Sequence, residues 1–171
     1  VVDGEGRSVA MTTTIESGFG ARLMVNTGQG LSGGFLLNNQ LTDFSFLPRD
    51  AQGRPIANRV EPGKRPRSSM SPTLVFERLP DGRTGPLVAS LGSPGGTLII
   101  HFTAQTLWAM LKWDMTPQQA IDLPRLALTD PAGPLYVEAQ RFATDWRADL
   151  AGRGHRVIDR KSTRLNSSHI P

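Results

Sequence analysis

A chain of 171 residues, 38% hydrophobic and without a single cysteine, can bury one core but can build no disulfide, no thiolate metal site and no thiol catalysis. The formal charge of +4 and the pI near 10.3 admit a basic, non-enzymatic binding module with nucleic acid as a partner. Against that stands the absence of aromatic and basic residues interleaved on one strand, and no apolar run approaches the length of a membrane span.

In chain order, residues 8–15 are rich in β-branched side chains between Gly6 and Gly18, which predicts a strand. Residues 28–33 satisfy the spacing of a dinucleotide fingerprint, but that motif needs a helix opening at its last glycine. Here Phe35-Leu36-Leu37 follows instead, a short apolar run closed by Asn38-Asn39, so the dinucleotide reading is rejected. Asp43, in Gln40-Leu41-Thr42-Asp43-Phe44, reads by itself as a turn or cap residue. Residues 45–61 are polar and turn-rich, with Pro48, Gly53, Pro55 and Asn58, and predict a loop.

The stretch from Pro62 to Thr73 carries prolines at 62, 66 and 72, so the adjacent hydroxyls of Ser68 and Ser69 sit on a stiff, non-helical backbone. Gly63-Lys64 fails as a phosphate loop because Arg65 replaces the Ser or Thr that would hold magnesium. Residues 73–77 and 87–91 predict paired strands around the turn 80–83. The second strand runs into Gly92-Ser93-Pro94-Gly95-Gly96, where two glycines after a proline offer backbone N–H groups in conformations closed to other residues, the means by which an oxyanion hole is built.

A helix over 97–112 follows, with Thr97 as its cap and Ile100, Ala104, Leu107, Ala109 and Leu111 near helical spacing. His101 lies inside it with no Ser or Asp signature and reads as a packed or surface histidine. Thr116 and Pro117 open a short helix to Asp122, residues 135–138 form a strand, and residues 141–152 a last amphipathic helix. Trp108, Trp113 and Trp146 are assigned to core packing, the default for large aromatics.

Three of these stretches, Leu36-Leu37-Asn38-Asn39-Gln40-Leu41-Thr42-Asp43-Phe44-Ser45, Lys64-Arg65-Pro66-Arg67-Ser68-Ser69-Met70-Ser71-Pro72-Thr73 and Gly92-Ser93-Pro94-Gly95-Gly96, together resemble the small subunit of γ-glutamyltransferases. The resemblance covers residues 1–158 in consistent order. It implies an α/β fold, part of the αββα four-layer sandwich of N-terminal-nucleophile hydrolases, completed by the large subunit of the same self-processing precursor. It implies γ-glutamyl transfer or hydrolysis on glutathione and related γ-glutamyl amides, with amino acid, peptide or water as acceptor, no cofactor and no metal. The family nucleophile is a threonine freed at an N-terminus, whose own amine is the base. That residue is expected upstream of Val1, so the chain alone is expected to be inactive.

Residue by residue, the resemblance makes Thr14 the second threonine that supports the nucleophile and Gly95 and Gly96 the oxyanion donors. Glu16, Gln40 and Asp43 hold the donor's α-amino group, and Ser68 and Ser69 its α-carboxylate. Relatives usually carry asparagine where Glu16 stands and often a second acid where Thr42 stands. Many also have a longer lid than residues 45–61. These departures keep open a cephalosporin or glutaryl acylase-type amide hydrolase as the alternative. The family setting implies a periplasmic or secreted protein.

Residues 159–171 resemble the conceptual translation of a common sequencing adapter and are expected to be an artefactual tail with few contacts to the fold; they carry +2 of the +4.

Overall fold

The computed structural model describes residues 1–26, 28 and 33–160. The chain divides into two compact units, residues 13–68 and residues 1–12 with 69–171.

The smaller unit has little regular structure. β1 (Met24–Val25) pairs antiparallel with β2 (Phe35–Leu36), in the register Met24 to Leu36 and Val25 to Phe35. Thus a strand, not a helix, follows Gly33; residues 29–32 of the rejected fingerprint lie outside the described residues. Gly20 adopts φ 52° and a Cβ there would stand 2.1 Å from the carbonyl oxygen of Leu37, so only glycine permits this crossing. A 3₁₀ helix spans Gln40–Asp43. The loop after it holds the unit's one buried apolar side chain among the described residues, Phe44.

What fixes that loop is side-chain bonding to backbone. Asp50 accepts from the amides of Gln52 (3.0 Å) and Arg54 (2.8 Å) and from Arg54 Nε (2.7 Å), closing a turn at Gly53.

The larger unit is built on apolar packing. β3 (Thr73–Arg78) and β4 (Thr84–Leu91) form an antiparallel hairpin from Thr73 opposite Leu91 to Arg78 opposite Thr84. β4 begins three residues earlier than the sequence predicts because Pro86 sits at a register irregularity between Phe76 and Arg78, where no ladder donor is required of it. A 3₁₀ turn, Gly96–Leu98, leads into α1 (Ile99–Lys112). The predicted cap at Thr97 is corrected: the helix is entered through this turn, Leu98 occupies the cap position, and no side chain caps it.

The face of α1 that is buried is Ile99, Phe102, Thr103, Thr106 and Ala109. This corrects the predicted stripe. Ile100, Leu111 and Ala104 face outward, and only Ala109 of the predicted set is buried. A helix apolar on both faces offers two stripes, and periodicity alone cannot choose between them. The three tryptophans are corrected as well. Trp108 is 56% exposed, nine residues from Ile99 and so half a rotation away on the helix, while Trp113 and Trp146 are exposed to a similar degree.

α2 (Pro117–Asp122) starts on a full capping box, with Thr116 Oγ1 accepting from Gln119 N and Gln119 Oε1 accepting from Thr116 N. β5 (Leu126–Ala127), β6 (Leu135–Glu138) and β7 (Val157–Arg160) make a three-stranded sheet, β5 antiparallel and β7 parallel to β6. α3 (Thr144–Gly152), three residues shorter at its start than the sequence predicts and with no buried residue, crosses from β6 to β7.

Phe102 and Leu98 pack on Ala127, and Arg125 fastens α1 to β5 by donating to Thr106 Oγ1 (2.9 Å) and Phe102 O (3.3 Å). Buried Glu138 accepts from the Arg125 amide at 3.2 Å. His101 packs as read, its Nε2 donating to Leu128 O at 2.9 Å.

Asp159 and Arg160 belong to β7, opposite Val137 and Glu138, so the predicted boundary after residue 158 falls inside a strand. Asp159 pairs with Arg147, and Arg160 lies over the ring of Tyr136. The remainder of the expected tail, 161–171, lies outside the described residues.

The predicted strand 8–15 is also corrected. Val1 and Val9 exchange backbone bonds at 2.9 Å and Val2 bridges Ser8, but no ladder continues beyond them. β-branched composition favours extension, yet a strand exists only beside a neighbour, and residues 10–14 have no backbone partner among the described residues.

Candidate functional site

The predicted site residues fall in both units: Thr14, Glu16, Gln40, Asp43 and Ser68 in the smaller, Ser69, Gly95 and Gly96 in the larger.

In the smaller unit, Thr14 Oγ1 accepts from the Glu16 amide at 2.8 Å, which turns the chain and sets Glu16 at φ 74°. A left-handed conformation on a non-glycine residue costs on the order of 1–3 kcal/mol and holds only where the surroundings fix it. They do so here through Asn39. Its Oδ1 accepts from Ser17 N (3.1 Å), its Nδ2 donates to Ser17 Oγ (3.0 Å), and its amide donates to Ile15 O (3.2 Å). The Asn39 carbonyl also accepts from Thr42, from N at 3.0 Å and Oγ1 at 2.8 Å, at the head of the 3₁₀ helix. One residue therefore joins the Thr14–Ser17 turn to the helix that carries Gln40 and Asp43.

On that helix the Gln40 amide donates to Asp43 Oδ2, three residues on. This aims the two side chains as one unit, with Asp43 only half-buried and able to meet a cation from solvent. Ser17 Oγ donates to Glu16 Oε2 at 2.5 Å, drawing the Glu16 carboxylate back toward its own turn.

The approach to Ser68 is stapled as well. Asn58 Nδ2 donates to Asp43 O (2.7 Å), and Asn58 Oδ1 accepts from Arg67 N (3.1 Å). Lys64 is held by Glu61 (2.7 Å) and Ala57 O (3.1 Å), so the charge that suggests a phosphate or nucleic-acid contact is engaged in the protein itself. Lys64, with Arg59 behind it, holds the Glu61 carboxyl below its ordinary range.

In the larger unit Ser69 is half-buried, its carbonyl accepting from Ser71 Oγ at 3.0 Å, and the chain passes directly into β3. Gly95 has φ 143° and Gly96 φ 56°, both closed to ordinary side chains. A Cβ on Gly95 would stand 3.0 Å from the Phe102 ring, whereas one on Gly96 would meet open space. Gly95 O takes the first helical bond, from Leu98 N at 3.1 Å. Among the described residues, the N–H groups of Gly95 and Gly96 donate to no protein acceptor. Two adjacent amides thus stand unpaired at the N-terminal end of a 14-residue helix, where the backbone dipole favours negative charge.

A recess of about 300 Å³ in the same unit is lined by Val1, Val9, Met11, Pro72, Leu91 and Gly92 among others, and by none of the predicted site residues. The described residues hold no cluster of three or more potential metal-ligating His, Cys, Asp or Glu side chains, and no described helix is long and apolar enough to cross a membrane.

Asn39 and Asn58 are the two residues that sequence reasoning missed. Each stands in a polar loop where asparagine reads as turn chemistry, and nothing local reveals a partner 22 or 15 positions away.

The sequence model of the family described as Gamma-glutamyltranspeptidase matches residues 1–170. The chain belongs to the gamma-glutamyltranspeptidase family. It is 37% identical over 156 residues to the glutathione hydrolase proenzyme of Bacillus subtilis subsp. natto, a match covering 91% of the chain and 23% of that protein. With the glutathione hydrolase proenzyme of Pseudomonas sp. (strain A14) it shares 36% over 165 residues, 89% of the chain and 26% of the relative. The chain therefore spans about a quarter of the length of the curated relatives it matches. Among solved structures, a mutant of Helicobacter pylori gamma-glutamyltranspeptidase superposes with a TM-score of 0.76 at 30% identity, covering 94% of this chain and 82% of that one. The fold is accordingly that of the gamma-glutamyltranspeptidases, a mixed α/β part of the αββα sandwich of N-terminal-nucleophile hydrolases.

Proposed function

We propose that the full-length protein carrying this chain transfers or hydrolyses the γ-glutamyl group of glutathione and related amides through an acyl-enzyme on an N-terminal threonine upstream of Val1. The observation that carries the reading is the unpaired pair of glycine amides at the head of α1. In this reading the threonine's α-amine takes the hydroxyl proton as its Oγ attacks the γ-carbonyl carbon. The oxygen of the tetrahedral intermediate gathers charge against the N–H groups of Gly95 and Gly96. The C–N bond then breaks, and the proton passes to the departing amine. Water or an amino group takes the acyl group in the second half.

Donor recognition falls to the two ends of its amino-acid head. Asp43, aimed by Gln40 and joined by Glu16, accepts from the α-ammonium, while the hydroxyls of Ser68 and Ser69 donate to the α-carboxylate. Thr14 supports the nucleophile. A large subunit from the same precursor completes the sandwich, a reading supported by the proenzyme names of the relatives and by the exposed apolar face of α1, with Ile100, Trp108 and Leu111 each at least half exposed. The reading extends to a location in the periplasm or outside the cell, which fractionation of the source cells tests.

The decisive assay is release of amine from a γ-glutamyl anilide. The full-length protein releases it and the purified chain alone does not. Turnover by the isolated chain, or by the full-length protein only with a glutaryl amide, overturns the reading; the second result favours the acylase alternative.

A further inference from the structure

Asn58 lies in the loop 45–61, outside every motif that marks the family resemblance, yet it spends both ends of its side-chain amide on site-bearing segments. Its Nδ2 donates to the backbone carbonyl of Asp43 at 2.7 Å, and its Oδ1 accepts from the backbone amide of Arg67, the residue before Ser68, at 3.1 Å. Its own carbonyl accepts from Ser45 N at 2.8 Å, and Ser45 bridges Arg59. The neighbouring Ala57 carbonyl takes Lys64 Nζ at 3.1 Å, and Glu61 pairs with both Arg59 and Lys64. The strap 56–61 is thus fixed to the chain on both sides of it. The bonds at Asp43 and Arg67 meet at a single half-buried amide, and neither partner can move without costing one of them.

We propose that Asn58 is a positioning residue that sets the spacing between the two ends of the donor clamp, the carboxylate of Asp43 and the hydroxyl of Ser68. The inference rests on the functional reading above. A zwitterionic head must satisfy its ammonium at one end and its carboxylate at the other at a fixed separation, so the distance between the two protein segments is itself a specificity element. A donor lacking the α-amino group engages only the hydroxyl end, and the spacing does not matter to it.

The test compares two donors on the full-length protein: a γ-glutamyl anilide, which uses both ends, and a glutaryl anilide, which keeps the carboxylate but lacks the α-amine. Asn58→Leu removes both bonds at nearly constant volume and is expected to raise KM for the γ-glutamyl donor by about 10-fold, more than it lowers kcat, while KM for the glutaryl donor stays put. Asn58→Asp keeps the acceptor for Arg67 N and loses the bond to Asp43, and it is expected to shift the same KM in the same direction; it decides the matter if the leucine variant does not fold. Loss of affinity for both donors alike, or for neither, overturns the role of Asn58. No turnover of the γ-glutamyl donor by the unmutated protein overturns this inference together with the functional reading, so the two failures are distinguishable.

Discussion

The two units of this chain reach order by different physics. Around α1 the larger unit uses apolar burial, with Leu98, Phe102 and Ala127 in contact and Ile99, Ala109, Leu135 and Val137 buried. The smaller unit buries Phe44 and otherwise relies on side chains bonded to backbone, through Asn39, Asp50 and Asn58. The division matches the two tasks proposed for them. Amides that must not yield as charge develops sit on a helix seated on a sheet, whereas groups that grip a zwitterionic head sit on loops whose spacing is set by a few hydrogen bonds.

The largest effect expected from breaking this contrast is on the packed side. Phe102→Ala empties the space between α1 and β5 and is expected to cost about 3–5 kcal/mol, read as lost hydrogen-exchange protection along α1. The glycines come next. Gly95→Ala sets a Cβ 3.0 Å from the Phe102 ring at φ 143° and is expected to cost about 3 kcal/mol, whereas Gly96→Ala meets open space and bears only its left-handed strain, about 1 kcal/mol. Thermal unfolding of the two variants checks the order.

Asn39→Ala is expected to cost less, about 1–2 kcal/mol, and to act only on the bonded unit. It frees the Thr14–Ser17 turn and weakens donor binding while α1 keeps its protection. The smallest effect is electrostatic. The Arg54 backbone amide, then its guanidinium, then the Gln52 amide hold the half-buried Asp50 carboxyl below its ordinary range. A depressed folded value means that this contribution is present above the unfolded value, about pH 4, and fades as pH falls through the folded one. Acidification should therefore loosen residues 49–55 before α1, as followed by amide shifts, and Asp50→Asn should remove the pH dependence at that turn.

How far each region was legible in the sequence follows from the same contrast. Local chemistry announced the start of α2 at Thr116 and Pro117, the β3–β4 hairpin and the need for glycine at 95 and 96, because each is settled by residues a few positions apart. The burial face of α1 was not legible, since Ile100, Leu107 and Leu111 are as apolar as the residues that pack; only the position of β5 selects between the stripes. The Thr97 cap failed because the double glycine imposes a 3₁₀ entry. Residues 8–15 carry strand composition, but strand formation depends on a partner that composition does not specify. Among the site residues, the motifs flagged side chains that would face a donor. Asn39 and Asn58 act on backbone far along the chain and carry no such mark.

The division of labour is tested most directly by steady-state kinetics of two variants of the full-length protein on a γ-glutamyl anilide. Removing both hydroxyls, Ser68→Ala with Ser69→Ala, should raise KM with a smaller change in kcat. Gly95→Ala keeps its N–H but sets a Cβ 3.0 Å from the Phe102 ring, and by displacing that amide it should lower kcat by up to about 10²–10³ with a smaller change in KM. Equal effects of the two variants on kcat and KM, or a Gly95→Ala enzyme that turns over at the unmutated rate, would contradict the account.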